Sequence, residues 1–509
     1  MWDFRKIWAY CKKGNELGLA YMFAHQLQGE AMYVREWGEW LVWNGTYWHR
    51  DLAEERMTKL IEQRLSPILE QAIVDIEAAL SESQGGGDKA DKEVLERMRK
   101  DIDSALKKAR SVNGVKNILE FAHKCNIPVC VDASDLDNHP GFLATQNALV
   151  NMRTMQAIEP PTPEHRFKYL ITKRAPVAFD PQAKCPKFDK FLADLFDEEM
   201  RIFVQKLFGY IASGVCTEHI FPILHGQGRN GKTVLVNIVS RVLGDDLAIG
   251  INTELLYEQK FRGSAGPSPD IRALHGCRFA FASEVNETQR LDVARIKKLT
   301  GGDTIVARAP HEKREFRWRP THTIILLTNA NPRLDTVDYA FADRLLFIPF
   351  KYSFVDNPTR EHEKPRIKGL EHIIVKEEAS GVLNWLIEGF IRYELEGLNP
   401  PDEVKKAVQT YLEMEDLIGY FLYSCTTPAG REVFLPLKDL YKVYSEWCVQ
   451  EQGMKEREIP TLRAFARQMA HKYKPFRKGE QKVTGYCGLV LNEKGQEYLR
   501  IRELNGYED

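Results

Sequence analysis

The chain has nine cysteines but no Cys-x-x-Cys pair, no apolar run approaching the length of a membrane span, and almost no net charge. Scattered thiols without paired spacing argue against a disulfide framework and fit a reducing cytoplasm. Without a long apolar run, no membrane-spanning helix is expected. A formal net charge of −1 excludes a global basic field, so any nucleic-acid contact must come from local patches. The opening Met1-Trp2-Asp3-Phe4-Arg5-Lys6 has no apolar core of leader length, which points to a cytoplasmic protein. Cys125, Cys130, His123 and His139 come nearest to a zinc cluster, but their spacing is loose and Ile127-Pro128-Val129 makes Cys130 read as a core thiol.

What is present is more telling. Residues 226–233 read Gly-Gln-Gly-Arg-Asn-Gly-Lys-Thr, a complete phosphate-binding loop. A strand-like run, Ile220 to Leu224, leads into it, and a helical run from Val234 leads out and stops at Gly244. Gly226, Gly228, Asn230 and Gly231 leave backbone N–H groups free to surround a triphosphate, at a helix N-terminus that favours negative charge. Lys232 is placed to reach the terminal phosphates, Thr233 to hold Mg²⁺ through its hydroxyl, and Val234 to follow them into the helix. ATP and Mg²⁺ are the expected ligands.

Two more apolar runs end in polar groups. Arg278 to Ser283 ends at Glu284, a candidate for metal and water, and Thr323 to Leu327 ends at Thr328-Asn329, whose amide can hold a water or a phosphate. Parallel strands would bring these ends to one sheet edge, where ligands bind in open α/β folds. Between them, Thr304–Arg308 and Arg314–Arg319 read as a hairpin whose basic tip includes His311, Lys313 and Arg314 and can grip phosphates; Trp318 reads equally as core or as a stacking surface. Asp343-Arg344 precedes the strand Leu345–Phe350, and an arginine there can reach a neighbouring subunit's nucleotide.

Outside this core, six of the nine tryptophans lie in the first fifty residues. Trp40–Trp43, an Asn44-Gly45 turn and Thr46–Trp48 read as a hairpin, whose rings fill a core or stack bases. Helical periodicity runs over 53–80, 92–123, 381–395 and 402–422. Asp101 and Asp103 read as a solvated, salt-bridging helix face. The last eighty residues combine helices with a strand-turn-strand pattern over Lys482–Val490, a winged helix in outline, with Lys472, Lys474, Arg477 and Lys478 as candidate duplex contacts. The expected units are 1–185, 186–365, 366–425 and 426–509.

In combination these motifs resemble the superfamily 3 helicases of the AAA+ class, and within them the phage/plasmid primase–helicase family that includes the poxvirus primase-helicase. The loop at 226–233, Lys298 to Asp303, Thr328-Asn329-Ala330-Asn331-Pro332 and Arg344 to Phe350 follow that family's order. Val177–Pro181, Gly381–Trp385, Tyr411–Asp416 and Trp447-Cys448 extend the likeness over most of the chain. The resemblance implies a fold with an AAA+ ATPase core on a parallel sheet, an α-rich N-terminal domain and a C-terminal helical and winged-helix region. It implies Glu284 as the Walker B acid, Asn329 as sensor 1, Arg344 as an arginine finger, and His311 and Lys313 on a DNA-gripping hairpin. Members often carry two adjacent acids where Ser283-Glu284 stands here, so the share taken by Glu287 stays open. The implied activity is that of an ATP-dependent replicative helicase of a phage, plasmid or integrated element. It would travel 3′ to 5′ on single-stranded or forked DNA as a homo-oligomer, a hexameric ring, with no membrane partner. The length leaves no room for a primase domain, so a separate primase or polymerase is expected. An ATP-switched initiator that melts an origin but unwinds little is the alternative.

Overall fold

The computed structural model describes residues 2–504 except 13–14, 28, 83–88, 126–128, 159–165, 167, 260–267, 284–289, 309–314, 335–338 and 480–481. Its centre is a five-stranded sheet of β1 (Phe221–His225), β2 (Ala248–Gly250), β3 (Phe279–Ser283), β4 (Thr323–Thr328) and β5 (Leu345–Pro349), in the order β5-β1-β4-β3-β2. Every pairing in it is parallel. All six residues of β4 are buried, as expected of a central strand covered on both faces.

Alternate residues supply two cores. Leu224, Phe279, Ile325, Leu327 and Ile348 face α1 (Lys232–Leu243) and the helices Glu198–Ser213 and Leu370–Glu396. Ile223, Ala280, Ile324, Leu326 and Phe347 face the other way, with Leu299, Trp318 and Tyr411. Trp318 is therefore core rather than a stacking surface. It stands in the hairpin expected after Asp303, where Ile305–Ala307 pairs antiparallel with Phe316–Trp318.

Near the N-terminus, Glu39–Trp43 and Trp48–Arg50 form the hairpin expected there; Ala31–Val34, not read from the sequence, adds antiparallel to it and Cys130–Val131 adds parallel, and Trp40 and Trp48 are buried. Trp43 pairs with Trp48, so the connection is a four-residue loop and not a two-residue Asn-Gly turn. The Asn44 carboxamide oxygen accepts from the N–H groups of Thr46 and Tyr47, at 3.2 and 3.1 Å, and shapes the loop by itself. Asp101 accepts the Trp8 indole N–H at 2.8 Å and Asp103 pairs with Lys107 at 2.7 Å, so the two acids serve separate surface contacts.

Several helix boundaries differ from the periodicity. The stretch over 92–123 is two helices, Lys89–Ala109 and Val112–Ala122, because the Ser111 hydroxyl accepts from Gly114 N and starts a new helix. Asp416 does the same between Asp402–Glu415 and Leu417–Cys425, accepting from Gly419 N at 3.0 Å. The helix read from Gly381 begins at Leu370.

In the C-terminal region α2 (Leu437–Gln452) and α3 (Leu462–Lys472) pack beside a three-stranded antiparallel sheet. Its strands are β6 (Phe434–Pro436), β7 (Pro475–Lys478) and β8 (Val483–Cys487), in the order β6-β8-β7. The strand-turn-strand expected over Lys482–Val490 does not fold back on itself. At Gly488, φ +85°, the chain leaves this sheet, and Leu489–Leu491 pairs instead with Thr426–Pro428. The hairpin is β7–β8. Among the described residues no helix is long and apolar enough to cross a membrane.

Candidate nucleotide and nucleic-acid site

β1 delivers the loop 226–231 at its C-terminal end, and α1 begins directly after it. Two glycines are required there. A Cβ on Gly226 would stand 2.4 Å from Asn230 Nδ2 and 2.5 Å from the Phe350 carbonyl oxygen. Gly231 is the N-cap of α1 with φ +85°, a left-handed conformation that side chains disfavour, and its Cβ would meet Leu195 at 3.0 Å. A Cβ on Gly228 would meet no protein atom within 4 Å, so the outer side of the loop is open. Asn230 is buried, and its Nδ2 donates to Phe350 O at 3.5 Å, tying the loop to the exit of β5. Phe354 N donates to Arg229 O at 2.8 Å and adds a second tie.

Lys232 is 5% exposed. Its ammonium donates to Asn329 Oδ1 at 3.0 Å and to the Gly226 carbonyl, and burial lowers its pKa to about 8. Such a charge, held among the described residues by a neutral amide and one carbonyl, is suited to a phosphate anion. The structure thus joins two of the residues expected from the sequence, one from the loop and one from the end of β4. Thr233 is exposed in the first turn of α1, and Val234 is half-buried behind it. His225, which belongs to no sequence motif, ends β1; burial and then the nearby Lys232 lower its pKa, which favours a neutral ring in the site. The register sets Ser283 at the end of β3 level with Leu327, and Leu327 level with Leu224. Glu284 and Glu287 lie outside the described residues, as do His311, Lys313 and Arg314.

Arg344 is not brought to Lys232. It precedes β5 at the opposite end of the sheet, where its carbonyl accepts from Phe221 N at 2.6 Å. Five residues of β1 lie between that level and the loop, roughly 15 Å at the usual strand rise. Its guanidinium donates to the Lys297 carbonyl and to Thr300 Oγ1, both at 3.0 Å. The Thr300 hydroxyl in turn donates to Ile296 O at 2.8 Å. The end of helix Val293–Thr300 therefore holds Arg344, and the same helix leads within a few residues into the hairpin at Ile305. No motif in the sequence signals this link, because a carbonyl and a threonine hydroxyl leave no residue signature.

The remaining sequence candidates separate. His123 stacks on Tyr33, with centroids 3.9 Å apart, Cys130 Sγ donates to His123 O, and His139 lies edge-on to Tyr169. Among the described residues no group of three or more His, Cys, Asp or Glu is placed to hold a metal. Lys472 pairs with Asp416 at 2.6 Å, whereas Arg477 and Lys478 are exposed on β7.

Residues 20–197 match the family described as D5 N terminal like. Over 316 residues the chain is 27% identical to "Putative helicase L207/L206" of Acanthamoeba polyphaga mimivirus, covering 59% of this chain and 32% of that protein. Over 375 residues it is 25% identical to "Putative helicase 121R" of Invertebrate iridescent virus 3, covering 68% of this chain and 40% of that protein. The chain thus spans only about a third to two fifths of the length of these curated relatives. The apo C terminal region of NrS-1 matches 63% of this chain and 80% of that one at 14% identity and a TM-score of 0.39, a likeness that supports no further conclusion. With the D5 N terminal like region and these viral putative helicases, the comparisons agree with the resemblance to the superfamily 3 primase–helicases.

Proposed function

We propose that this chain is an ATP-driven DNA helicase of viral or mobile-element replication, built on an AAA+ core and working as a homo-hexameric ring that moves 3′ to 5′ on single-stranded DNA. The observation that carries the reading is the split of the charged groups across one sheet: Lys232 bonded to Asn329 at the loop edge, and Arg344 held at the opposite edge. A nucleotide held by Lys232 would lie away from its own subunit's Arg344 and would take that residue from the next. The strand order β5-β1-β4-β3-β2 supports the AAA+ reading, and the arrangement of α3 and the β7–β8 hairpin supports a winged helix.

In this account the loop amides and Lys232 bind the phosphates, and Asn329 orients the attacking water. Thr233 and Glu284 are the residues to hold Mg²⁺, which when bound neutralises phosphate charge. Arg344 of the adjoining subunit stabilises charge developing during transfer. Since the helix end that holds Arg344 runs on into the hairpin, a shift of the finger on hydrolysis would move the tip that carries His311, Lys313 and Arg314 along the strand.

Displacement of one strand from a forked duplex tests the reading against an initiator that hydrolyses ATP without unwinding. ATP-dependent displacement is expected, and Lys313→Ala should lower it by roughly tenfold or more through the lost phosphate grip. ATP turnover without displacement would favour the initiator.

The buried ammonium also sets a pH dependence. Free Lys232 loses its proton near pH 8, and a bound triphosphate raises that pKa, so the ligand selects the protonated form. ATP affinity should therefore be level below pH 8 and fall as pH rises through it, by up to about tenfold per pH unit. Titrations with a fluorescent nucleotide would check this, and an affinity constant from neutral pH to well above 8 would contradict it.

A further inference from the structure

The sheet β6-β8-β7 has one buried and one open face. Leu435 and Tyr486 point into the C-terminal core. The alternate residues Phe434, Phe476, Lys478, Val483 and Gly485 share the other face, through the pairs Phe476 with Gly485 and Lys478 with Val483. On that face Phe476 is 52% and Val483 42% exposed. The rings of Phe434 and Phe476 stand 6.5 Å apart across the middle strand, and the Lys478 ammonium lies 5.6 Å from the centre of the Phe434 ring. Gly485 makes room for this: a Cβ there would stand 2.6 Å from the edge of Phe434. An aromatic pair laid over a glycine, with Phe434 half-buried and Phe476 open to solvent, is not explained by the core beneath it.

We propose that this face is a stacking platform for the bases of single-stranded DNA, resting on the helicase reading above. The charge around it selects the occupant. Lys478 shares the face, Lys474, Arg477 and Lys482 are exposed on the same hairpin, and the sequence from 473 to 485 sets one acid, Glu480, against these four cations. Cations beside open rings match a polynucleotide, whose phosphates pair with the cations while its bases stack on the rings. Bases in a duplex are already stacked on one another, so the occupant is a single strand, such as one released at the fork.

The test uses the full-length protein, a labelled thymidine oligomer, and an abasic oligomer of the same length and charge. Phe476→Ala should weaken thymidine binding about tenfold and leave abasic binding unchanged, and Phe476→Tyr, which keeps the ring, should restore it. A thymidine oligomer carrying 5-iodouracil should photocrosslink to the peptide containing Phe476 or to that containing Phe434. Unchanged thymidine affinity in Phe476→Ala without a crosslink at either ring would overturn the platform. So would an equal loss on both oligomers, which would mark a phosphate surface. ATP turnover and fork displacement by the parent protein separate the two claims: active displacement with base-indifferent binding removes the platform alone. Absent turnover removes the helicase reading, while the oligomer comparison still decides the platform.

Discussion

Lys232→Ala is expected to lower ATP turnover by at least about 10²–10³-fold, the usual loss when one preorganised charge is removed from a phosphoryl-transfer site. The ammonium is buried between Asn329 and the Gly226 carbonyl, and no other described cation shares those partners. Truncation removes the positive charge and leaves the Asn329 amide without its partner at that edge. The fold should survive, because the loop is held independently by Asn230 on Phe350 and by Arg229 on Phe354. A steady-state ATPase assay beside a thermal melt decides the matter, and turnover retained in a folded Lys232→Ala protein would remove the nucleotide assignment.

Arg344→Ala carries the second large effect. An arginine supplied to a neighbour's nucleotide is worth about 10³–10⁵ in turnover, so hydrolysis should fall by that order. ATP binding should change far less, since the arginine lies at the sheet end away from the loop of its own subunit. The variant also removes the bonds to Thr300 Oγ1 and the Lys297 carbonyl, and because Thr300 is buried a thermal melt beside the assay should show a modest loss of stability. Equal loss of binding and of turnover would mean that Arg344 supports its own subunit's site.

Much of the central sheet could be read from the sequence, because its strands are short, nearly continuous apolar runs with polar ends and parallel pairing puts those ends together. Lys232 meeting Asn329, residues 97 positions apart, is that logic realised. What escaped depends on partners that no local pattern encodes. Glu378 sits in the polar run Lys376-Glu377-Glu378, which reads as a solvated face. It is nonetheless buried, and its carboxylate accepts the Lys187 and Phe188 N–H groups that open the helix Pro186–Leu195. A distant acid caps that helix, and its own helix starts at Leu370, eleven residues before Gly381. Ser111 and Asp416 break helices whose apolar spacing continues across the break, since capping costs the pattern nothing. The pairing of β7 with β8 was missed because β7 is fully exposed and offers no apolar alternation to read.

The central claim is that each nucleotide is completed by two subunits, and mixing the two inactive variants tests it most directly. In a ring assembled from equal parts of Lys232→Ala and Arg344→Ala subunits, about a quarter of the interfaces pair an intact Lys232 with an intact Arg344. The account predicts ATPase activity in the mixture of up to about a quarter of the parent rate, from two proteins that are each nearly inactive alone. A mixture no more active than its components, under conditions where the two variants are seen to co-assemble, would contradict it.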